Sequence, residues 1–404
     1  MLTSPIITRL TDTDLYKFTM QQTMLHRNPQ AEALSEFVCR NAPDYPLAEL
    51  ARDVNEQIDH LVGLRFTGEE LSYLAKRPYF KSDYIDFLEG FQLRRRHIEV
   101  STESGRLVIK ALGPLVRTTM FEIFVLSIVN ELYFERFDQE AALSRGQALL
   151  ERKIDHLRIV NTTGLQNLGP FEFFDFGTRR RFSRAWQDHV VQSLAREVPA
   201  HFKGTSNVHL AMKHNLTPIG TMAHEYLQMY QGLDVQLKNT QKAALEDWAS
   251  EYRGDLGIAL TDVINMDAFL RDFDLYFAKL FDGLRHDSGD PFVWGEKAIA
   301  HYQKLKIDPT SKRLVFSDGL DLGKAVALHQ AFAGRIRCGF GIGTNLTNDV
   351  GLAPLNIVMK LMSVNQQPVA KISDAPGKTL CTNTVFLDYL RQVFLVENET
   401  KAPA

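Results

Sequence analysis

FEFFDFG (Phe171–Gly177) is a short apolar run that stops at Asp175 and turns at Gly177. Runs of this kind recur from about residue 170 onward: HFKGTS (201–206), TPIGTMAH (217–224), GIALTD (257–262), FDGLRHD (281–287), RLVFSD (313–318) and RCGFGIG (337–343). Each ends in Gly, Asp, Ser, Thr or His, and helical patterns such as KNTQKAALEDWASEYRG and PFVWGEKAIAHYQKL lie between them. The latter opens on Asp290-Pro291, a cap followed by a proline at the first helical position. Strand, turn and helix repeated about every 30 residues describe βα units and a parallel sheet. Seven units favour a closed or nearly closed barrel, with an open doubly wound sheet as the alternative.

Outward from this block, residues 1–135 mix helix and strand without a repeat. EALSEFVCRN and RLVIKALGP read as strands, and PLAELARDVNEQIDHLVGL as an amphipathic helix. FEIFVLSIVNELYF (121–134) is too short and, at Glu122, Asn130 and Glu131, too polar for a bilayer, so a buried helix is expected. The expected division is an α+β domain over 1–140, joined by 350–404, beside a barrel over 141–349. The 46 Lys plus Arg nearly balance the 49 Asp plus Glu, which argues against nucleic acid as a partner. Cys39, Cys338 and Cys381 show no C-x-x-C spacing and fit a reducing compartment. With no long apolar leader, a soluble cytoplasmic protein with no membrane partner is expected.

In barrels the chemistry gathers at the carboxyl ends of the strands. Those ends carry Asp175, Ser206, His224, Asp262, Asp287, Asp318, Gly341 and Gly343. Any one Asp or Ser is an ordinary helix cap, but seven polar strand ends would line one mouth. DFGTRRRFSR (175–184) adds Arg179, Arg180 and Arg181 where a helix begins, a place that disfavours cations unless an anion is near. GLRHDSGDP (283–291) groups Arg285, Asp287 and Asp290; a turn explains the spacing, and so does a site for a sugar diol and its phosphates. FGIGTNL (340–346) offers backbone amides to a phosphate but lacks the helix and acid of a dinucleotide fingerprint. Arg94-Arg95-Arg96 reads as solvated surface.

His224-Glu225, in GTMAHEYLQMYQ (220–231), looks like half of a zinc helix. The second imidazole would stand at position 228, where the chain has Gln228, so that geometry fails. His201, His209 and His214 do not complete a site either, since His209 and His214 would not share a helical face. No metal held directly by protein ligands is expected, and Glu225 reads as first-turn dipole support.

LTDTDLYKFTMQ, EFVCR, FDFGTRR, GTMAHEY, LRHDSGDP, FSDGLDL, FGIGTNL and PVAKISDAPGK together resemble the motifs, in order, of the nicotinate phosphoribosyltransferases. The resemblance runs from residue 10 to about 380. It implies an irregular, incomplete α/β barrel of the type II phosphoribosyltransferases beside a discontinuous α+β domain. It also implies synthesis of nicotinate mononucleotide and pyrophosphate from nicotinate and phosphoribosyl pyrophosphate, with Mg²⁺ and with ATP as co-substrate. The step would be the entry to NAD salvage, in a homodimer with shared active sites.

By the same resemblance, His224 accepts a phosphoryl group, while Asp262 and Asp287 belong to the catalytic set. Phe176, and Tyr16 from the partner chain, sandwich the pyridine ring, and Arg179 lies on the substrate side. Ser206 stands where nicotinamide-using relatives carry an acid. Arg285, Asp287 and Asp318 hold ribose hydroxyls and phosphates. Arg40 reaches across the dimer to pyrophosphate, Gly341 and Gly343 form a 5′-phosphate cradle, and Lys371 and Lys378 are further phosphate contacts. The competing expectations are a nicotinamide or quinolinate enzyme, a barrel lyase or isomerase acting on a sugar phosphate, and a non-catalytic nucleotide-binding regulator. No strand end carries the Lys that a Schiff-base lyase would use.

Overall fold

The seven apolar runs all become strands of one parallel sheet in the computed structural model, which describes residues 4–41, 45–160, 169–375, 378–379 and 381–396. In spatial order they are Thr217–Pro218, Phe202–Thr205, Phe173–Asp175, Arg337–Ile342, Arg313–Phe316, Gly283–His286 and Ile258–Leu260. The first strand in the chain pairs with the last, Ile342 opposite Asp175, so the sheet curls round. It stays open between Thr217–Pro218 and Ile258–Leu260, the two ends of the order. There the Thr221 hydroxyl donates to the Ile258 carbonyl at 2.8 Å. The outcome is the nearly closed barrel rather than the doubly wound sheet.

The helices between the strands begin on side chains placed just past the strand ends. Asn207, Asn265, Asp290 and Asp321 each accept backbone N–H bonds from the first turn of the helix that follows. Asp290 caps Pro291–Lys304 as expected, bonding Phe292 N at 2.8 Å and Val293 N at 3.1 Å. These caps leave the strand-end acids Asp262, Asp287 and Asp318 free for other partners.

The second sheet is antiparallel, in the order Gln367–Pro368, Ile357–Val364, Glu32–Cys39, Arg106–Pro114, Ile98–Glu103. Chain from beyond residue 350 therefore pairs directly with the N-terminal strand, Cys39 opposite Ile357. Helix Ala51–Leu61 buries Val54, Ile58 and Leu61. Helix Phe121–Phe134 is buried along almost its whole length, and among the described residues no helix is long and apolar enough to cross a membrane. Its Ser127 and Asn130 donate to the carbonyls of Thr178 (2.9 Å) and Arg181 (2.6 Å), which pins the arginine turn against the domain interior. Of Arg94-Arg95-Arg96, Arg94 and Arg96 are exposed, whereas Arg95 bonds Asp59 and Asn55.

Candidate active site

A cavity of about 560 Å³ lies between the barrel mouth and the antiparallel sheet. Its arginine wall is set up by Asp175, a buried carboxylate that accepts from Gly177 N (2.7 Å), Thr205 Oγ1 (2.7 Å) and Gln187 Nε2 (2.8 Å). Those bonds fix the turn after the first barrel strand. A side chain at Gly177 would come within 2.1 Å of Thr347 Oγ1, so only glycine passes there. The three arginines then part company. Arg179 and Arg180 line the cavity with Arg40. Arg181 points inward, fully buried, and binds Asp12 at 2.6 and 2.9 Å and Glu131 at 2.7 Å. The expectation of three anion-seeking arginines is thus corrected to two, because the third neutralises two interior carboxylates.

Burial, and then the charge of Arg179 and Arg40, bring Arg180 down to about 9. Burial, and then Arg179, lowers Arg40 as well. Guanidiniums crowded closely enough to disfavour their own charge form a wall suited to an anion. Arg285 lines the same cavity, and its buried Nε has no hydrogen-bond partner among the described residues.

His224 opens the helix His224–Met229, and its Nε2 lies 2.7 Å from Asp262 Oδ1 and 3.7 Å from Asp287 Oδ2. Asp262 is fully buried; its Oδ2 takes Ser288 Oγ at 2.7 Å and Lys371 Nζ at 2.8 Å. Burial alone would raise this carboxylate, yet His224 and Lys371 hold it well below the usual range. Burial, and then the Lys371 charge, lowers the His224 imidazole. Nearby, the Ser317 hydroxyl donates to Asp287 Oδ1 at 2.9 Å, and Lys378 Nζ pairs with Asp318 Oδ2 at 2.7 Å. Lys371 and Lys378 thus both reach the cavity. Within their motif, PVAKISDAPGK, Pro376 and Gly377 lie outside the described residues.

The opposite wall holds Tyr16, Phe176, Asp14 and Ser206. Ser206 Oγ donates to Asp14 Oδ1 at 2.7 Å. Burial pushes Asp14 up to about 6. Asp14 thus sets a carboxyl beside the Ser206 hydroxyl. Tyr16 and Arg40 line the cavity of the chain that carries them. The reason is that Asp14, just before Tyr16, bridges to Asn207 beside the second barrel strand.

Gly341 is corrected too. A Cβ there would meet Phe176 Cδ2 at 2.2 Å, so this glycine makes room for the ring, while Gly343 lines the cavity. Glu225 lies in the first turn of its helix as expected, and it also binds Lys17 Nζ at 2.6 Å and Thr119 Oγ1 at 2.7 Å in the interior. The cavity-side roles of Asp14, Lys17 and Glu122 are not visible in the sequence, although all three sit in stretches quoted above: a Lys two residues into a helix looks solvated until the fold buries it.

Ligand atoms of His224, Asp262 and Asp287 lie within 4.8 Å of one another. Both Asp262 oxygens are already taken, one by the imidazole and one by the Lys371 ammonium, so this trio suits no direct metal ligation. His201 and His214 bond Phe171 O and Asp188 instead and are absent from the cavity lining.

An incomplete α/β barrel with a carboxylate-bound imidazole on its rim and clustered guanidiniums facing it defines an enzyme of small phosphorylated and anionic molecules. The model of the nicotinate phosphoribosyltransferase (NAPRTase) family matches residues 171–398, and that of its N-terminal domain matches 11–130. The chain belongs to the nicotinate phosphoribosyltransferase family. It is 62% identical over 390 residues to the nicotinate phosphoribosyltransferase of Herminiimonas arsenicoxydans, covering 96% of this chain and 98% of that one. With the Acinetobacter baumannii enzyme of that name it shares 59% over 402 residues, 99% of this chain and 100% of the relative. Among solved structures, nicotinate phosphoribosyltransferase from Vibrio cholerae superposes with a TM-score of 0.92 at 37% identity, over 98% of this chain and 96% of the other. A putative nicotinate phosphoribosyltransferase from Saccharomyces cerevisiae gives 0.87 at 29%, over 98% and 100%.

Proposed function

We propose that this chain joins nicotinate to phosphoribosyl pyrophosphate, giving nicotinate mononucleotide and pyrophosphate, and couples that reaction to ATP hydrolysis through a phosphorylated His224. The observation that carries the ATP part is the imidazole's setting. Nε2–H donates to Asp262 Oδ1 at 2.7 Å, and burial and Lys371 favour the neutral ring. Nδ1 then holds the lone pair and is the atom that attacks the γ-phosphorus of ATP, releasing ADP. The positive charge left on the ring is held by Asp262 across Nε2. Water later cleaves the N–P bond and frees phosphate.

In the transfer itself the pyridine nitrogen attacks C1′ as pyrophosphate leaves and positive charge builds on the ribose. Phe176 and Tyr16 flank the pyridine ring, Arg179 takes its carboxylate, and Asp287, Asp318 and Arg285 hold the ribose and its phosphates. Arg40 and Arg180 face the leaving pyrophosphate, and Gly343 backs the 5′-phosphate. Mg²⁺ carried by the pyrophosphate would shield its charge, held near Asp287 and Asp318 through its water shell. A homodimer is part of the reading as an assembly only, with each chain carrying its own Tyr16 and Arg40.

Incubation with γ-labelled ATP is expected to leave acid-labile, base-stable label on Nδ1 of His224, and H224A to lose it. An active, unlabelled parent enzyme rejects the phosphohistidine role, and label on Nε2 rejects the assigned nitrogen. Asp14 beside Ser206 favours one alternative acceptor, nicotinamide, whose amide can donate to a carboxylate. Comparing product formation from the two pyridines decides between them.

A further inference from the structure

Lys17 is fully buried, and the reaction as derived gives it no task. Its Nζ lies 2.5 Å from Glu122 Oε2 and 2.6 Å from Glu225 Oε2, with Thr119 Oγ1 at 3.3 Å. A buried charged triad contributes little net stability over an apolar replacement, so stability alone does not account for it. Its members sit beside the working residues. Lys17 follows Tyr16 and lies 5.5 Å from that ring's centre, and Glu225 follows His224. Glu122 Oε1 lies 4.0 Å from Arg179 Nη1. The result is a row of alternating charge, Glu225, Lys17, Glu122, Arg179, which starts one residue along the chain from the phosphoryl acceptor and ends at the pyridine wall.

We propose that Lys17 is a positioning residue that transmits the phosphorylation state of His224 to Arg179, so that one shared ammonium links ATP use to nicotinate binding. The proposal rests on the phosphohistidine reading above. A phosphoryl group on His224 adds negative charge next to Glu225 and repels its carboxylate from the ammonium. Lys17 is then left to Glu122, which loosens its hold on Arg179 and frees that guanidinium for the incoming carboxylate. By linkage, nicotinate on Arg179 favours the same arrangement from the other end.

The test measures label on His224 and the KM for nicotinate with and without ATP, in the parent and in K17M, K17R and E122Q. In the parent, ATP lowers the KM. In K17M and E122Q that lowering shrinks by roughly fivefold or more, the lower end of ordinary coupling, while label still forms. K17R restores part of it. If K17M fails to fold, E122Q decides, because it keeps the Lys17–Glu225 pair. Folded variants with the parent's full ATP effect on KM overturn the proposal. So does loss of label in E122Q, which would place the effect at His224 itself. An unlabelled parent overturns the phosphohistidine reading instead.

Discussion

Asp14 is a carboxyl held among hydroxyls, and its titration has a definite sign. Its pKa rises from 3.8 to about 6 on burial, so between those values the folded chain binds more protons than the unfolded one. Stability from this group is therefore full below 3.8 and is lost as pH rises through about 6, by roughly 3 kcal/mol. D14N is expected to gain stability over the parent as pH rises through that window and to keep a constant advantage above it, read by urea unfolding at a series of pH values. Arg181 gives the opposite case. R181M leaves Asp12 and Glu131 buried without a counter-charge and should cost about 3–5 kcal/mol in the same assay. At Gly341 the expected loss is functional: G341A displaces the Phe176 ring and lowers kcat/KM for nicotinate by roughly 10–100-fold, with the chain still folded. The sequence made Asp287 and Asp318 legible because each stands just past a strand end, and His224 because it opens a helix after the turn that follows Thr217–Pro218. It hid Asp14, Lys17 and the inward turn of Arg181, because each of these buried groups has a partner more than a hundred residues away.

Helices and strands were more legible than side chains. The runs that end in polar residues became strands because apolar β-formers are cut short there by turn chemistry, and Pro291 after Asp290 marked its helix correctly. What periodicity could not show was which acids would cap helices. Asp262, Asp287 and Asp318 are spared that task by Asn265, Asp290 and Asp321, each three residues further on. Capping and chemistry are thus separable by mutation. D290A should lower unfolding free energy by about 1 kcal/mol and leave kcat unchanged, measured by thermal unfolding and by steady-state assay. A large fall in kcat would show that Asp290 does more than cap.

For the whole molecule, parallel order and near-closure followed from counting βα units, whereas the position of the opening did not. No sequence pattern says whether Tyr16 meets its own barrel or a neighbour's; the bridge from Asp14 to Asn207 brings it to the cavity of its own chain. Activity per chain is therefore expected to stay constant on dilution past the point where any dimer separates, followed by sedimentation alongside the assay. A fall that tracks dissociation would return the site to two chains. The opening itself lies between Thr217–Pro218 and Ile258–Leu260, and the segment that leaves its edge carries His224. Everywhere else round the ring, shifting a strand end breaks a ladder of backbone bonds. At the opening the Thr221 hydroxyl supplies the cross-bond. The barrel is a split ring, like a spring clip, and His224, the residue proposed to take up and lose a phosphoryl group in each turnover, rides on one free end of the clip.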